Sequence, residues 1–262
     1  MDYKNTIKAF FFDLDSTTYD HNDDCVRQST YEGLRKLKEN GYKICLNTSR
    51  SYSELYNAPK DFLDMFDTLI LLSGAYVVKD GVVSIKKLKR ETIDKLIKYF
   101  DDNDLTYRYS TVDGGGFLNR HDEDKEALFY RLYEMIPPIK KYEGEEVIGF
   151  LFYADKEIRM EAYKLLDDEM YSDLRLAGEI YPNGTDKGEM MIEVAKSYGI
   201  NQNETCAFGD SNNDVSMFKK AELAIALGNC SDGARENADY ITDDISDEGL
   251  YNALVHFGFI GE

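Results

Sequence analysis

Two aspartates one residue apart, Asp13 and Asp15, end the apolar run Phe10-Phe11-Phe12 and lead into Ser16-Thr17-Thr18. In a strand they would share one face, so a single ligand could meet both carboxylates. Paired carboxylates at a strand end are costly unless a cation or a proton-transfer step uses them. Two more apolar runs stop at reactive groups. One reaches Asn47-Thr48-Ser49-Arg50, and the other reaches Gly209-Asp210-Ser211-Asn212-Asn213-Asp214. Lys187 lies between them, at the start of a helical pattern. Oxygen ligands suit a hard divalent cation, a lysine offsets phosphate charge, and a carboxylate can act as nucleophile. Together these are the parts that Mg²⁺-assisted phosphoryl transfer needs.

The elements that carry these groups follow a strand–helix rhythm. Residues 8–12, 42–46 and 68–72 read as buried strands, with a helix over 26–40 closed by Asn40-Gly41. Ser51 and Glu54 have capping-box spacing for a second helix. This order predicts an α/β, doubly wound parallel sheet, in which ligands bind beyond the carboxyl ends of the strands. Residues 76–85 then read as a hairpin around Asp80-Gly81. From about 86 to 182 the texture changes to an α+β pattern of helix, strand, glycine loop, helix, strand, helix, strand. The α/β rhythm resumes with a helix from Lys187, a strand over 205–208, a short helix, a strand over 223–227 and a closing helix over 247–257. The chain therefore divides into a core of 1–84 and 183–262 and an inserted domain of 85–182.

With these four stretches in order, the chain resembles the haloacid dehalogenase (HAD) superfamily phosphatases, and most of all the Cof-type group with a large cap. The resemblance covers roughly residues 5–85 and 183–260; in the cap it extends only to position and size. Its D-x-D-x-T motif is Asp13-Leu14-Asp15-Ser16-Thr17, the strand-end hydroxyl is Thr48, the helix-start lysine is Lys187, and G-D-x-x-N-D is Gly209 to Asp214. The resemblance implies a Rossmann-like core, Mg²⁺ as cofactor, and a small phosphorylated metabolite as substrate, sugar phosphates first. Asp13 would form an aspartyl-phosphate, and Asp15 would act as general acid and then general base. Thr48, Ser49, Lys187 and Asn213 would contact phosphate or substrate. Asp13, the Asp15 backbone carbonyl and Asp210 would hold the metal, with Asp214 supporting them. Two positions depart from the pattern: Ser16 and Ser49 stand where the family usually has glycine. If either needs positive φ, serine carries a cost there.

Composition narrows the partners. Fifty Asp and Glu against 31 Lys and Arg give a net charge of −19. That balance argues against nucleic acid or an anionic membrane as main partner. The four cysteines have no metal spacing, and Cys45 and Cys206 sit in apolar runs, which fits buried thiols and a cytoplasmic setting. No apolar segment has spanning length. His21, His121 and His256 share no ligand spacing and are read as non-functional, although His21 lies near the Asp13 loop. Arg50 reads as structural or solvated. In Gly114-Gly115-Gly116-Phe117-Leu118-Asn119-Arg120, a flexible connection is favoured over a substrate loop presenting Arg120. Two other functions use the same parts: a phosphomutase, and a sugar-phosphate sensor without catalysis. The intact nucleophile set speaks against the sensor.

Overall fold

The computed structural model describes residues 3–174 and 176–261. Strand β1 (Ala9–Phe12) is fully buried. Phe10 and Phe12 pack with Leu46 and Phe208 on one side of the sheet, while Ala9 and Phe11 pack with Met191 and Ala207 on the other. Successive side chains of a strand face opposite ways, so a strand covered on both faces has no place for a polar residue.

β2 (Lys43–Asn47) and β3 (Thr68–Leu71) continue in parallel, and β4 (Tyr76–Lys79) and β5 (Val82–Ile85) add an antiparallel hairpin. Asp80 and Gly81 turn it with φ of 51° and 74°, the pair of left-handed residues that a two-residue hairpin favours. The chain then builds β6 (Thr106–Thr111), β7 (Gly116–Leu118), β8 (Val147–Tyr153), β9 (Met170–Asp173) and β10 (Ala177–Tyr181). It returns with β11 (Thr205–Gly209), β12 (Leu223–Ala226) and β13 (Tyr240–Ile241). Among the described residues, the core sheet runs β13-β12-β11-β1-β2-β3-β4-β5 and the second sheet β7-β6-β8-β10-β9.

β1 lies between β11 and β2, parallel to both, and Phe12 is level with Phe208 and Leu46. The chain order breaks between β1 and β11, so the polar residues after both strands emerge at a topological switch point.

The inserted sheet has its own core. Ile93, Leu96 and Phe100 of the helix Arg90–Asp102 pack on Tyr107, Tyr109, Phe150 and Phe152. These two tyrosines are buried core residues. The sequence reading also missed β7, β9 and β13. Each is only two to four residues long, too short to show an alternating pattern.

Candidate active site

Asp13 continues the β1–β11 ladder, its N–H donating to the Phe208 carbonyl at 3.0 Å. That fixes the start of the Asp13 side chain beside β11. Lys187 reaches it from the first turn of the helix Lys187–Ser197, whose N-cap Asp186 accepts from the N–H groups of Gly188 and Glu189. The buried ammonium donates to Asp13 Oδ1 at 2.6 Å, Asp214 Oδ1 at 2.7 Å and Asn213 Oδ1 at 3.2 Å. Asp214 is fully buried, and its Oδ2 accepts from the N–H groups of Asp210 and Ser211 at 3.0 Å each. A side chain at Gly209 would collide with this carboxylate, its Cβ lying 2.5 Å from Asp214 Cγ. Glycine there lets the loop fold back on itself.

One carboxylate oxygen each from Asp13, Asp210 and Asp214 lie within 4.8 Å of one another. Three carboxylates face a single ammonium, and the excess negative charge is visible in the acidities of Asp13 and Asp210. Burial, then repulsion from Asp214, push Asp13 well up, although Lys187 opposes. Asp210 is pushed up to about 7 by burial and Asp214, against a hydrogen bond from Thr17 Oγ1 at 3.1 Å. All-oxygen donors with surplus negative charge fit a hard divalent cation.

Thr48, at the end of β2, is fully buried, and its Oγ1 accepts from the Arg50 N–H at 3.1 Å. Ser49 is half-buried and has φ outside the left-handed region, so its departure from glycine carries no backbone cost. Ser16 does carry one. Its φ is 57°, and its carbonyl accepts from Asn229 Nδ2 at 2.9 Å, which helps hold the turn.

Asp15 is the surprise. Its carboxylate is held by Arg50, with Nη2 2.6 Å from Oδ1 and Nε 3.1 Å from both oxygens. His21 Nε2 lies 2.6 Å from the same Oδ1. Burial pushes Asp15 upward, but the His21 hydrogen bond and the Arg50 charge override it and hold the carboxyl well below its usual range. Reading Arg50 as structural or solvated is therefore half corrected: it is fully buried and braces a candidate catalytic carboxylate. His21, read as non-functional, lies against the same carboxylate. His121 pairs with Glu126 on the surface, and His256 stacks on Tyr240. All four cysteines are free thiols, with Cys45 and Cys206 buried.

The family is decided by a match spanning most of this framework. The family model for haloacid dehalogenase-like hydrolases covers residues 10–254. The chain belongs to that family. Among curated relatives of this haloacid dehalogenase-like hydrolase is the 5-amino-6-(5-phospho-D-ribitylamino)uracil phosphatase YcsE of Bacillus subtilis (strain 168). It is 37% identical over 255 residues, covering 96% of each chain. A phosphoglycolate phosphatase of Nitrosopumilus maritimus is 36% identical over 251 residues, covering 94% of each. Among solved structures, the phosphatase BT1666 of Bacteroides thetaiotaomicron superposes with a TM-score of 0.84 at 29% identity, covering 97% of this chain and 96% of its own. The subclass IIB sugar phosphatase BT4131 gives 0.86 at 24% identity, covering 97% and 100%, a likeness of fold. The protein is a phosphatase of this family, and among its described residues no helix is long and apolar enough to cross a membrane.

The glycine stretch of the inserted domain belongs to neither reading offered for it. Arg120 bonds to Asp104 and to Thr106 Oγ1 inside its own domain. Gly116 instead allows β7 to approach Ser53 closely: a Cβ there would lie 2.3 Å from Ser53 Oγ and 2.4 Å from Arg108 Nη2. No motif points to Arg108, a buried β6 residue that bonds Ser51 and Ser53. Its only signal is a charge set between Tyr107 and Tyr109.

Proposed function

We propose that this phosphatase hydrolyses small phosphorylated metabolites, sugar phosphates foremost, with Mg²⁺ and through a phospho-Asp13 intermediate. The observation that carries the reading is the Asp13–Lys187–Asp214 contact beside Asp210 at the switch point of the sheet. Asp13 and Asp210 would hold the metal together with the Asp15 carbonyl. Both Asp214 oxygens are already engaged by Lys187 and backbone N–H groups, which supports a bracing role for it. A bound Mg²⁺ supplies charge neutralisation for the phosphate and for the Asp13 carboxylate.

Asp13 Oδ attacks phosphorus, the bond to the leaving oxygen breaks, and that oxygen takes a proton from Asp15. Asp15 then removes a proton from the water that attacks the phospho-Asp13, releasing phosphate and restoring the carboxylate. Lys187 and the Thr48 hydroxyl stabilise the charge that develops on the phosphoryl oxygens, with Asn213 and Ser49 as further contacts. Without substrate, Asp15 is a carboxylate gripped by Arg50 and His21. To arrive protonated, it needs the anionic phosphate beside it, since a nearby like charge raises a carboxyl pKa. Residues 85–182 act as the specificity domain over this site.

Phosphate release from a panel of sugar and nucleoside monophosphates, with and without Mg²⁺, tests the reading. The expected result is Mg²⁺-dependent release that Asp13→Asn abolishes. Release that survives the substitution would refute the assignment of the nucleophile.

A further inference from the structure

The space between the two sheets contains a buried donor that no acceptor in the protein meets. A cavity of about 180 Å³ opens on Lys187, Asn213 and Tyr181. A second one of about 30 Å³, also walled by Tyr181, reaches Ser49, Glu54, Arg108, Ser110, Tyr133 and Glu179. Among the described residues, Arg108 Nε, on this second cavity, is buried without a hydrogen-bond partner, while the Tyr181 hydroxyl on the same wall interacts with Glu179 and Ser73. An unmet buried donor is costly, so one at the wall of a cavity points to a ligand group that meets it.

The charge of the cavity says which group. Arg108 looks like a receptor for an anion, but its charge is already matched. Nη1 lies 3.3 Å from Glu54 Oε1, both side chains being buried, and the remaining terminal N–H groups serve Ser51, Ser53 and Ser110. What Arg108 has left to offer is one donor, Nε–H. Glu179, two residues before Tyr181 and so on the same face of β10, adds a carboxyl that burial pushes up to about 7. A carboxylate or second phosphate entering here would meet Glu54 and Glu179 with no uncommitted cation. A hydroxyl would fit: its oxygen accepts from Arg108 Nε–H and its hydrogen is donated to Tyr181 Oη or Glu179. The volume is also about that of one water-sized group.

We propose that Arg108, Glu54, Glu179 and Tyr181 form a specificity pocket that selects an uncharged, hydroxyl-bearing leaving group over an acid-bearing one of the same length. The proposal rests on the phosphatase reading above and adds a direction of discrimination to it.

The test uses the Asp13→Asn protein, which holds substrate without turning it over, titrated calorimetrically with glucitol 6-phosphate and with 6-phosphogluconate. These two differ at the far carbon, a hydroxymethyl group against a carboxylate. Glucitol 6-phosphate is expected to bind at least about tenfold tighter, because a carboxylate here gains no cation of its own and faces Glu54 and Glu179. Adding Glu179→Gln should narrow that ratio at least about threefold by restoring 6-phosphogluconate binding. Adding Tyr181→Phe should weaken glucitol 6-phosphate alone. Equal or tighter binding of 6-phosphogluconate, a ratio unmoved by both second substitutions, or binding of neither compound overturns the pocket assignment. Hydrolysis of p-nitrophenyl phosphate by the wild-type enzyme, whose leaving group makes no use of these contacts, reads the phosphatase activity separately.

Discussion

Arg50 grips Asp15 through one edge of its guanidinium, Nη2 at 2.6 Å and Nε at 3.1 Å, while its Nη1 donates to the Glu54 carbonyl at 2.9 Å and to Asn57 Oδ1 at 2.6 Å. The arginine ties the candidate acid/base to the turn after β2. It also ties it to the inserted domain, because the Tyr133 ring lies 4.8 Å from the guanidinium and Asn57 Nδ2 donates to the Leu132 carbonyl at 3.3 Å.

Arg50→Ala should therefore lower kcat by roughly 10- to 100-fold, within the 10²–10⁴ range of a general acid–base contribution, with a smaller effect on KM. The Asp15 pKa should rise because its strongest cation is gone, moving the acidic limb of the kcat profile to higher pH. Arg50→Lys should recover little, since a lysine cannot reproduce the forked contact. A pH–rate profile of both variants checks this. An unmoved acidic limb would separate Arg50 from Asp15.

His21→Ala should have a milder effect, about tenfold or less on kcat, because Arg50 still holds the carboxylate. The double substitution should cost more than the product of the two single effects, as expected for groups sharing one partner. Steady-state kinetics of the cycle measures it.

Lys187→Met removes the cation that pairs with the buried carboxylates of Asp13 and Asp214 beside half-buried Asp210. Breaking a buried charge pair costs about 3–5 kcal/mol, so denaturant unfolding of the metal-free protein should show a loss of that order. Mg²⁺ should return part of it. The wild-type protein should itself gain about 2.7 kcal/mol at a metal concentration 100-fold above Kd, and Asp210→Asn should lose most of that gain. Melting curves with Mg²⁺ and with EDTA distinguish these outcomes.

Glu179 provides a pH signature outside the metal cluster. Its folded pKa, about 7, lies above the ordinary value of 4.5, so the folded state holds a proton that the unfolded chain has released between those pH values. The unfolded state then binds fewer protons, and stability falls as pH rises from about 4.5 to 7. Glu179→Gln should flatten that part of the stability curve. A slope unchanged by the substitution would mean that Glu179 is ionised throughout.

The sequence was most informative where chemistry and strand ends coincide. Asp13, Asp210 and Lys187 follow or open strongly apolar elements, and the structure brings all three together. Thr48 and Asn213 were also readable, because backbone registry carries them to the same end of the sheet. Arg50 and His21 were not, since their roles depend on side chains converging on Asp15 from 35 and 6 residues away, with no periodicity to announce it. The second sheet was legible only as a change of texture. Its short hairpin strands carry too few residues for a pattern, and Arg108 acquires meaning only from the core residues it meets.

The central claim is that Asp13 is the nucleophile, and the most direct measurement looks for its phosphorylated form. Turnover with a hydrolysed sugar phosphate and Mg²⁺, quenched in acid, followed by borohydride reduction and peptide mass spectrometry, should find homoserine at position 13 and nowhere else. Rapid phosphate release with an unmodified residue 13 at every quench time, or release undiminished in Asp13→Asn, would contradict the account.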